Sequence, residues 1–406
     1  MSGRLESLES FRTRAEAWIT TNLPSWSDEL VDNRELQNRL FDAGFGGIAF
    51  PAEYGGSGLT LEHQRVFFDL ADELVRQVPT TFNVSIGMLA PTILDHGSEE
   101  AKRRFLPPLL RGDELWIQLL SEPKGGSDMA GVTTRLLRDG DRYVLSGAKM
   151  WSSRAHHADY GLCLCRSDWS QPKHRGLSMI AVPLRGTPGI TIQQTRAVTG
   201  LPGEFCEEFF DDVELPVTNL IGEESHGWAV AQTLLKHERN AVGNMGYGYL
   251  GGRHRPQAVA TFGTPTPAEL AVAARGSAAV RHLLADAYVE SVVGRLTSAR
   301  VMTCLQTGAY QGPWGSLRKL QSAVSQHEAA RTALAVYGAD GVIWDGDEVQ
   351  LDNAGTTWLG ARRGTIAGGT NEIQRNIISE RLLGLPREPA SDHNLPFSEA
   401  MRGTRT

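Results

Sequence analysis

The most restrictive feature of this chain is a polar, glycine-rich turn set between an apolar run and a hairpin. Residues 115–120 are mostly apolar, and Ser121, Glu122, Pro123, Gly125, Gly126, Ser127 and Asp128 follow them directly. Pro123 fixes one backbone angle, and the glycines open conformations closed to other residues. Such a loop can wrap closely around a ligand, with the hydroxyls and main-chain N–H groups of Ser121 and Ser127 available to an anion or a carbonyl-rich ring. An ordinary surface turn fits the same composition. Next come two short apolar stretches, 136–137 and 143–145, flanking Arg138-Asp139-Gly140-Asp141, a strong hairpin signal. Trp151-Ser152-Ser153 then sets a large flat ring beside two small hydroxyls.

The flanks of this stretch have a different periodicity. In 5–23, Leu5, Leu8, Phe11, Ala15, Trp18 and Ile19 recur at helical spacing. Helices are also expected over 36–43, 61–78 and 82–96, with a glycine-rich crossing at 45–58. Ser98 is placed to cap a further helix, and Pro107 and Pro108 are expected to stop it. Strands are predicted at 132–138, 142–147, 159–166, 177–184, 190–194 and 205–211, spaced as in a small barrel or sandwich. Beyond them, 228–245, 268–305, 317–337 and 371–383 read as four long helices forming a bundle, the second weakened by Gly276 and Gly294. Apolar residues on more than one face of these helices predict burial against a partner subunit, hence a homodimer or homotetramer. The expected fold is α+β: an N-terminal helical domain at 1–116, a middle β domain at 117–222, a C-terminal helical bundle at 223–388 and a loose tail from 389 to 406.

Composition narrows the partners. A net charge of −7 argues against nucleic acid or an anionic membrane. The first eight residues are polar and lead into no secretory core, and no apolar stretch is long enough to span a bilayer, so a cytoplasmic protein is expected. Cys163, Cys165, Cys206 and Cys304 lack metal-ligand spacing, and Cys163 and Cys165 share one face of a predicted strand. They read as buried thiols in a reducing compartment, with no metal site.

The stretches 121–128 and 151–153 resemble the flavin-binding segment of the acyl-CoA dehydrogenase family, roughly T-E-P-G-A-G-S-D followed by a hairpin and W-I-T/S. The resemblance continues at 48–58 (I-x-x-P-x-x-Y-G-G-x-G) and at 200–216, where the family has F-x-E-V-F-F-D-D-V-x-V-P. It reaches 366–387, which is similar to Y-E-G-T-x-x-I-Q-R-x-I-I. It implies FAD as cofactor. Leu120, Ser121 and Gly126 would lie at the flavin's pyrimidine edge, Ser127 at the pyrophosphate, and Trp151 and Ser153 on the ring and near its N5 atom. Thr370 and Glu372 would lie near the ribityl and adenosine part. Lys124 replaces a usual glycine at the loop rim.

Two departures matter. The glutamate of E-G-T, the base in many members, is Gly368 here, which keeps only a backbone N–H able to polarise a thioester carbonyl. Some branches instead carry the base in an E-R pair on the first helix of the C-terminal bundle. Glu238 and Arg239 occupy those places, Arg239 near the acyl-CoA entrance, although a charged pair on a solvated helix face is the commoner fate of such residues. The usual R-x-x-F-G segment is not matched in spacing by Arg253, Arg255, Phe262 and Gly263, and Arg281 is a substitute for gripping a phosphate.

The expected reaction is α,β-dehydrogenation of an acyl-CoA thioester, with electrons passing to an electron-transfer flavoprotein. A flavin oxidase or monooxygenase on the same fold is one alternative. A non-catalytic subunit of a hetero-oligomer, paired with a homologous partner chain, is another.

Overall fold

The computed structural model describes residues 5–25, 33–74, 76–78, 81–200, 205–242, 278–310, 312–343, 353–389 and 394–403. The chain forms two compact units: Met1–Thr195, Gly203–Arg255 and Ala390–Thr406 make up the first, Arg196–Pro202 and Pro256–Pro389 the second.

The first unit opens with α1 (Leu8–Asn22), α2 (Asn33–Asp42), α3 (Leu61–Glu73), α4 (Ala90–His96) and α5 (Glu99–Arg111), with a π-helical turn, Ser85–Leu89, running into α4. In α1, Ser7 caps the first turn, and Phe11, Ala15 and Ile19 form one buried stripe at intervals of four. Phe45 stacks on Phe67 at 4.9 Å and meets Phe11 edge-on at 5.8 Å. Each such fully buried side chain contributes about 1.5–3 kcal/mol.

Ser98 caps α5 as expected, its hydroxyl accepting from the Ala101 N–H. The helix nevertheless continues through Pro107 and Pro108 and ends at Gly112, at φ 89°. Adjacent prolines remove two helical N–H donors. Burial of Leu106, Leu109 and Leu110 on the turn they occupy outweighs that loss.

A seven-stranded sheet follows: β1 (Trp116–Leu119), β2 (Arg135–Asp139), β3 (Arg142–Ser153), β4 (Tyr160–Arg166), β5 (Leu177–Pro183), β6 (Ile190–Thr195) and β7 (Phe205–Pro216). It curls into a half-barrel rather than a closed barrel or sandwich. β4 pairs antiparallel with β5 along one edge; β1 and then β2 run parallel to it along the other. β2, β3, β7 and β6 continue antiparallel. The β2–β3 hairpin turns at Gly140 as expected, with Asp139 opposite Arg142. β1 adds a short parallel strand to the six predicted; β4, with which it pairs, is distant in sequence. α6 (Gly227–Val242) then packs on this unit, burying Val230, Ala231 and Leu234 in one core with Leu177, Met179 and Ala181.

In the second unit, α7 (Ala278–Gln306), α8 (Gly315–Tyr337), α9 (Ala354–Ile366) and α10 (Asn371–Ile377) form the helix bundle. α9 is not among the predicted helices. Its sequence begins Ala-Gly-Thr-Thr, poor in helix formers and without an apolar stripe. Those four small residues are buried, as are Ala323, Ala330 and Ala333 of α8, so close backbone approach replaces large side chains as the source of packing. Residues 243–245 and 268–277 of the predicted helices lie outside the described residues.

The tail also departs from expectation. Pro396 bridges to Pro172, and α11 (Phe397–Gly403) docks on the first unit. Phe397 is buried, 5.4 Å from the Trp169 ring, with the Arg166 guanidinium 3.9 Å over its own ring. No helix among the described residues is long and apolar enough to cross a membrane.

Candidate active site

The glycine-rich turn is held from beneath. Glu122 and Gly125 exchange both main-chain hydrogen bonds at 3.0 Å, and the Ser121 carbonyl accepts from the Met150 N–H at 3.0 Å. The buried Glu122 carboxylate accepts from the Thr133 N–H (2.7 Å) and hydroxyl (2.9 Å), the Thr134 N–H (2.8 Å) and the Lys149 ammonium (3.0 Å). Lys149 also donates to the Leu120 carbonyl at 3.1 Å. Burial alone would raise the Glu122 pKa; Lys149 and the threonine donors outweigh it and hold the carboxyl below its usual range. The loop motif by itself assigns Glu122 no role. The available signal was a charged residue inside a loop motif, but its partner lies 27 residues on.

Above this anchor, Leu120 is buried, Ser121 half-buried, and Gly126 and Ser127 exposed. A methyl group added at Gly126 would stand 3.7 Å from the Ser121 hydroxyl, an ordinary contact, so packing within the turn does not require glycine there. β3 bulges between Met150 and Ser152, turning Trp151 into the left-handed region at φ 66°. That conformation is unusual for a bulky side chain and recurs at functional sites. It leaves the indole 54% exposed beside Phe205. Ser153 is exposed, while Ser152 points inward and donates to Glu208. The resulting surface offers neutral hydroxyls and a flat exposed ring, a donor set suited to a heteroaromatic group with a phosphate tail. No metal-binding cluster of His, Cys, Asp or Glu occurs among the described residues.

Glu238 lies on α6 at the end of the stripe Val230, Leu234, Glu238, spaced by four and therefore on one face. The first two are buried and Glu238 is half-buried. On β1, Trp116 and Gln118 face this helical core, while Ile117 and Leu119 face the half-barrel interior. The Gln118 Nε2 donates to Glu238 Oε2 at 3.4 Å. Glu238 is thus turned toward the sheet. His237 lies on a neighbouring face, 2.9 Å from Asp95. One turn earlier, Thr233 meets His96 at 2.8 Å, and burial pushes the His96 pKa down. The Arg239 side chain lies outside the described residues.

In the second unit, Gly368 is exposed at φ 66°, and its carbonyl accepts from the buried Gln374 at 3.0 Å. Thr370 caps α10, accepting from the Ile373 N–H at 3.2 Å. Glu372 is exposed in the first turn; its own main-chain N–H and the Thr370 hydroxyl hold its carboxyl below the usual range. Arg281 is exposed near the start of α7. Arg253, Arg255, Phe262 and Gly263 lie outside the described residues.

Comparison with known proteins matches all three parts of the chain. The acyl-CoA dehydrogenase N-terminal domain matches residues 5–113, the middle domain 118–213 and the C-terminal domain 225–383. Acyl-CoA dehydrogenase IpdE1 of Mycobacterium tuberculosis is 33% identical over 95% of this chain and 99% of its own length. Among solved structures, the Tcur3481-Tcur3483 steroid ACAD is 28% identical with a TM-score of 0.71, covering 95% of this chain and 100% of that one. The ChsE4-ChsE5 complex from Mycobacterium tuberculosis is 26% identical with a TM-score of 0.70 over the same shares. With its loop, its exposed indole and every domain accounted for, this chain belongs to the acyl-CoA dehydrogenase family and carries that family's FAD-binding architecture.

Proposed function

We propose that the chain is one subunit of a hetero-oligomeric acyl-CoA dehydrogenase acting on the CoA thioester of a bulky, polycyclic acyl group. Glu238 takes the α-proton in this reading. The observation that carries it is the placement of Glu238 on the buried stripe of α6, against Gln118, rather than on a solvated face. Two structures similar to this chain are named for pairs of chains, and one of them is called a steroid enzyme. These favour a two-chain assembly over the homo-oligomer expected from the helix faces.

Ser121, Ser127, Trp151 and Ser153, with the Leu120–Gly126 backbone, hold FAD in this reading. When bound, FAD would supply a two-electron acceptor, with an electron-transfer flavoprotein as the external partner for those electrons. Gly368 contributes a main-chain donor to the thioester oxygen, where negative charge develops. Arg281, Thr370 and Glu372 serve the adenosine side of the cofactor, and Arg239 the CoA entrance.

A second reading, a non-catalytic subunit, is favoured by Gly368 and by the same two-chain structures. Co-expression with a homologous chain followed by anaerobic mixing with acyl-CoAs, steroid-derived ones included, separates the two. If this chain holds the base, Glu238→Gln keeps FAD and slows flavin reduction in the complex by about 10²–10⁴. An unchanged rate assigns the base to the partner. A chain that is active, FAD-loaded and indifferent to any partner refutes the two-chain assembly.

A further inference from the structure

Gln118 bears the contact that turns Glu238 toward the sheet, and its own geometry is unusual. It projects from β1 into the face where α6 packs, and its Nε2 donates to Glu238 Oε2 at 3.4 Å. The other end of the same amide, Oε1, is buried and has no hydrogen-bond partner among the described residues. A buried amide with one satisfied and one unsatisfied end is costly, and such a group calls for an explanation. A glutamine amide carries a donor and an acceptor on a terminal torsion that is broad and roughly two-fold.

We propose that Gln118 is a positioning residue for Glu238 that serves both of its protonation states, an inference that rests on the assignment of Glu238 as base. Before reaction, the Nε2–H group donates to the carboxylate and fixes which oxygen faces the substrate. In the reaction the α C–H bond breaks, the proton bonds to a Glu238 oxygen, and the electron pair stays on the acyl chain. Glu238 then carries an O–H donor that no longer needs a donor beside it. Rotation of the Gln118 amide presents Oε1, the unfilled buried acceptor, to that O–H. The polar partner count is therefore kept at both ends of the proton transfer, with no water molecule needed to fill it. A carboxylate held only by apolar neighbours would lose this in one of the two states.

The test uses the FAD-loaded complex of the full chain with its homologous partner chain, only this chain's glutamates being ¹³C-labelled. The carboxyl stretch of Glu238 is identified in infrared spectra by its loss in Glu238→Gln, and its protonation is followed against pH with no substrate present. Gln118→Met, matched in length and apolar, removes a partner from both protonation states, so the carboxylate stretch and the protonated-carboxyl stretch of Glu238 should both shift in frequency. Gln118→Leu removes the same two partners and should shift both stretches likewise; it replaces the methionine variant should that one not fold. In single turnover, with an acyl-CoA that reduces the wild-type flavin, Gln118→Met should slow reduction by about 10–100-fold while enoyl-CoA binding stays unchanged. It should have no further effect in a Glu238→Gln background. A Glu238 band that neither variant moves overturns the proposal, whatever the rates. Equal flavin reduction in wild type and Glu238→Gln would instead remove the base assignment, an outcome read separately from the infrared titration.

Discussion

Two buried carboxyls lie within the same sheet unit, and their surroundings differ in one respect. Glu122, beneath the glycine-rich loop, accepts from three donors of Thr133 and Thr134 and from Lys149. Glu208, on β7 directly opposite Lys149 in register, accepts from the Ser152 hydroxyl and its own main-chain N–H, and its Oε2 has no partner among the described residues. Both are nearly inaccessible to solvent. Burial opposes charge on each, but the donors around Glu122 prevail and keep it ionised, whereas burial and the neighbouring Glu207 push the Glu208 pKa up to about 7. The number of donors, more than depth, decides which buried acid carries charge. Glu122 stays ionised and anchors the loop, whereas Glu208 takes up a proton as pH falls through about 7.

The largest effect should come from removing the counter-charge of the first site. Lys149→Met leaves the Glu122 carboxylate buried and unpaired and should lower unfolding stability by about 3–5 kcal/mol at neutral pH, read by urea denaturation. The Glu122 pKa is depressed in the fold, so its contribution is present above the ordinary carboxylate range and fades as pH falls through its folded value. The Lys149→Met deficit should shrink in acid accordingly. A deficit that stays constant down to pH 3 would contradict an ionised Glu122.

The second site should respond with the opposite sign. The Glu208 pKa is raised in the fold, so its stability contribution is full below the unfolded carboxylate value and is lost as pH rises toward and past about 7. Glu208→Gln removes that loss, and at pH 8 relative to pH 5 it should gain on the order of 2–3 kcal/mol over wild type. Parallel melting curves for the two proteins across that range would rule this out.

Smaller changes sharpen the contrast. Thr133→Val deletes one side-chain donor to Glu122 but keeps the main-chain donor, and should cost about 1 kcal/mol. Ser152 and Glu208 should couple by roughly 0.5–1 kcal/mol in a double-mutant cycle of Ser152→Ala with Glu208→Leu. Additive single effects there would show that the Ser152–Glu208 hydrogen bond contributes nothing measurable.

Much of the molecule was legible from local pattern. The order of helices, strands and helices, the Gly140 hairpin, the Ser98 cap and the run from Ser121 to Asp128 follow from periodicity, turn chemistry and capping. All of these act over a few residues. The same reasoning misread Pro107 and Pro108, because burial of Leu109 and Leu110 is a tertiary gain that a breaker rule does not contain. It missed α9, whose small buried residues carry no apolar period, and it read as loose a tail that Phe397 pins between Trp169 and Arg166.

The sequence by itself determined the family, the loop able to hold a flavin, and the absence of a carboxylate at Gly368. Only the tertiary structure decided which face of α6 Glu238 occupies, since its partner Gln118 lies 120 residues away. It alone joined Ser152 and Glu208, 56 residues apart, each standing where the family pattern has an apolar residue. Helical and strand periodicities report which residues share a face. What that face meets is set by packing between distant segments, where the burial of charge is balanced against the donors brought to it.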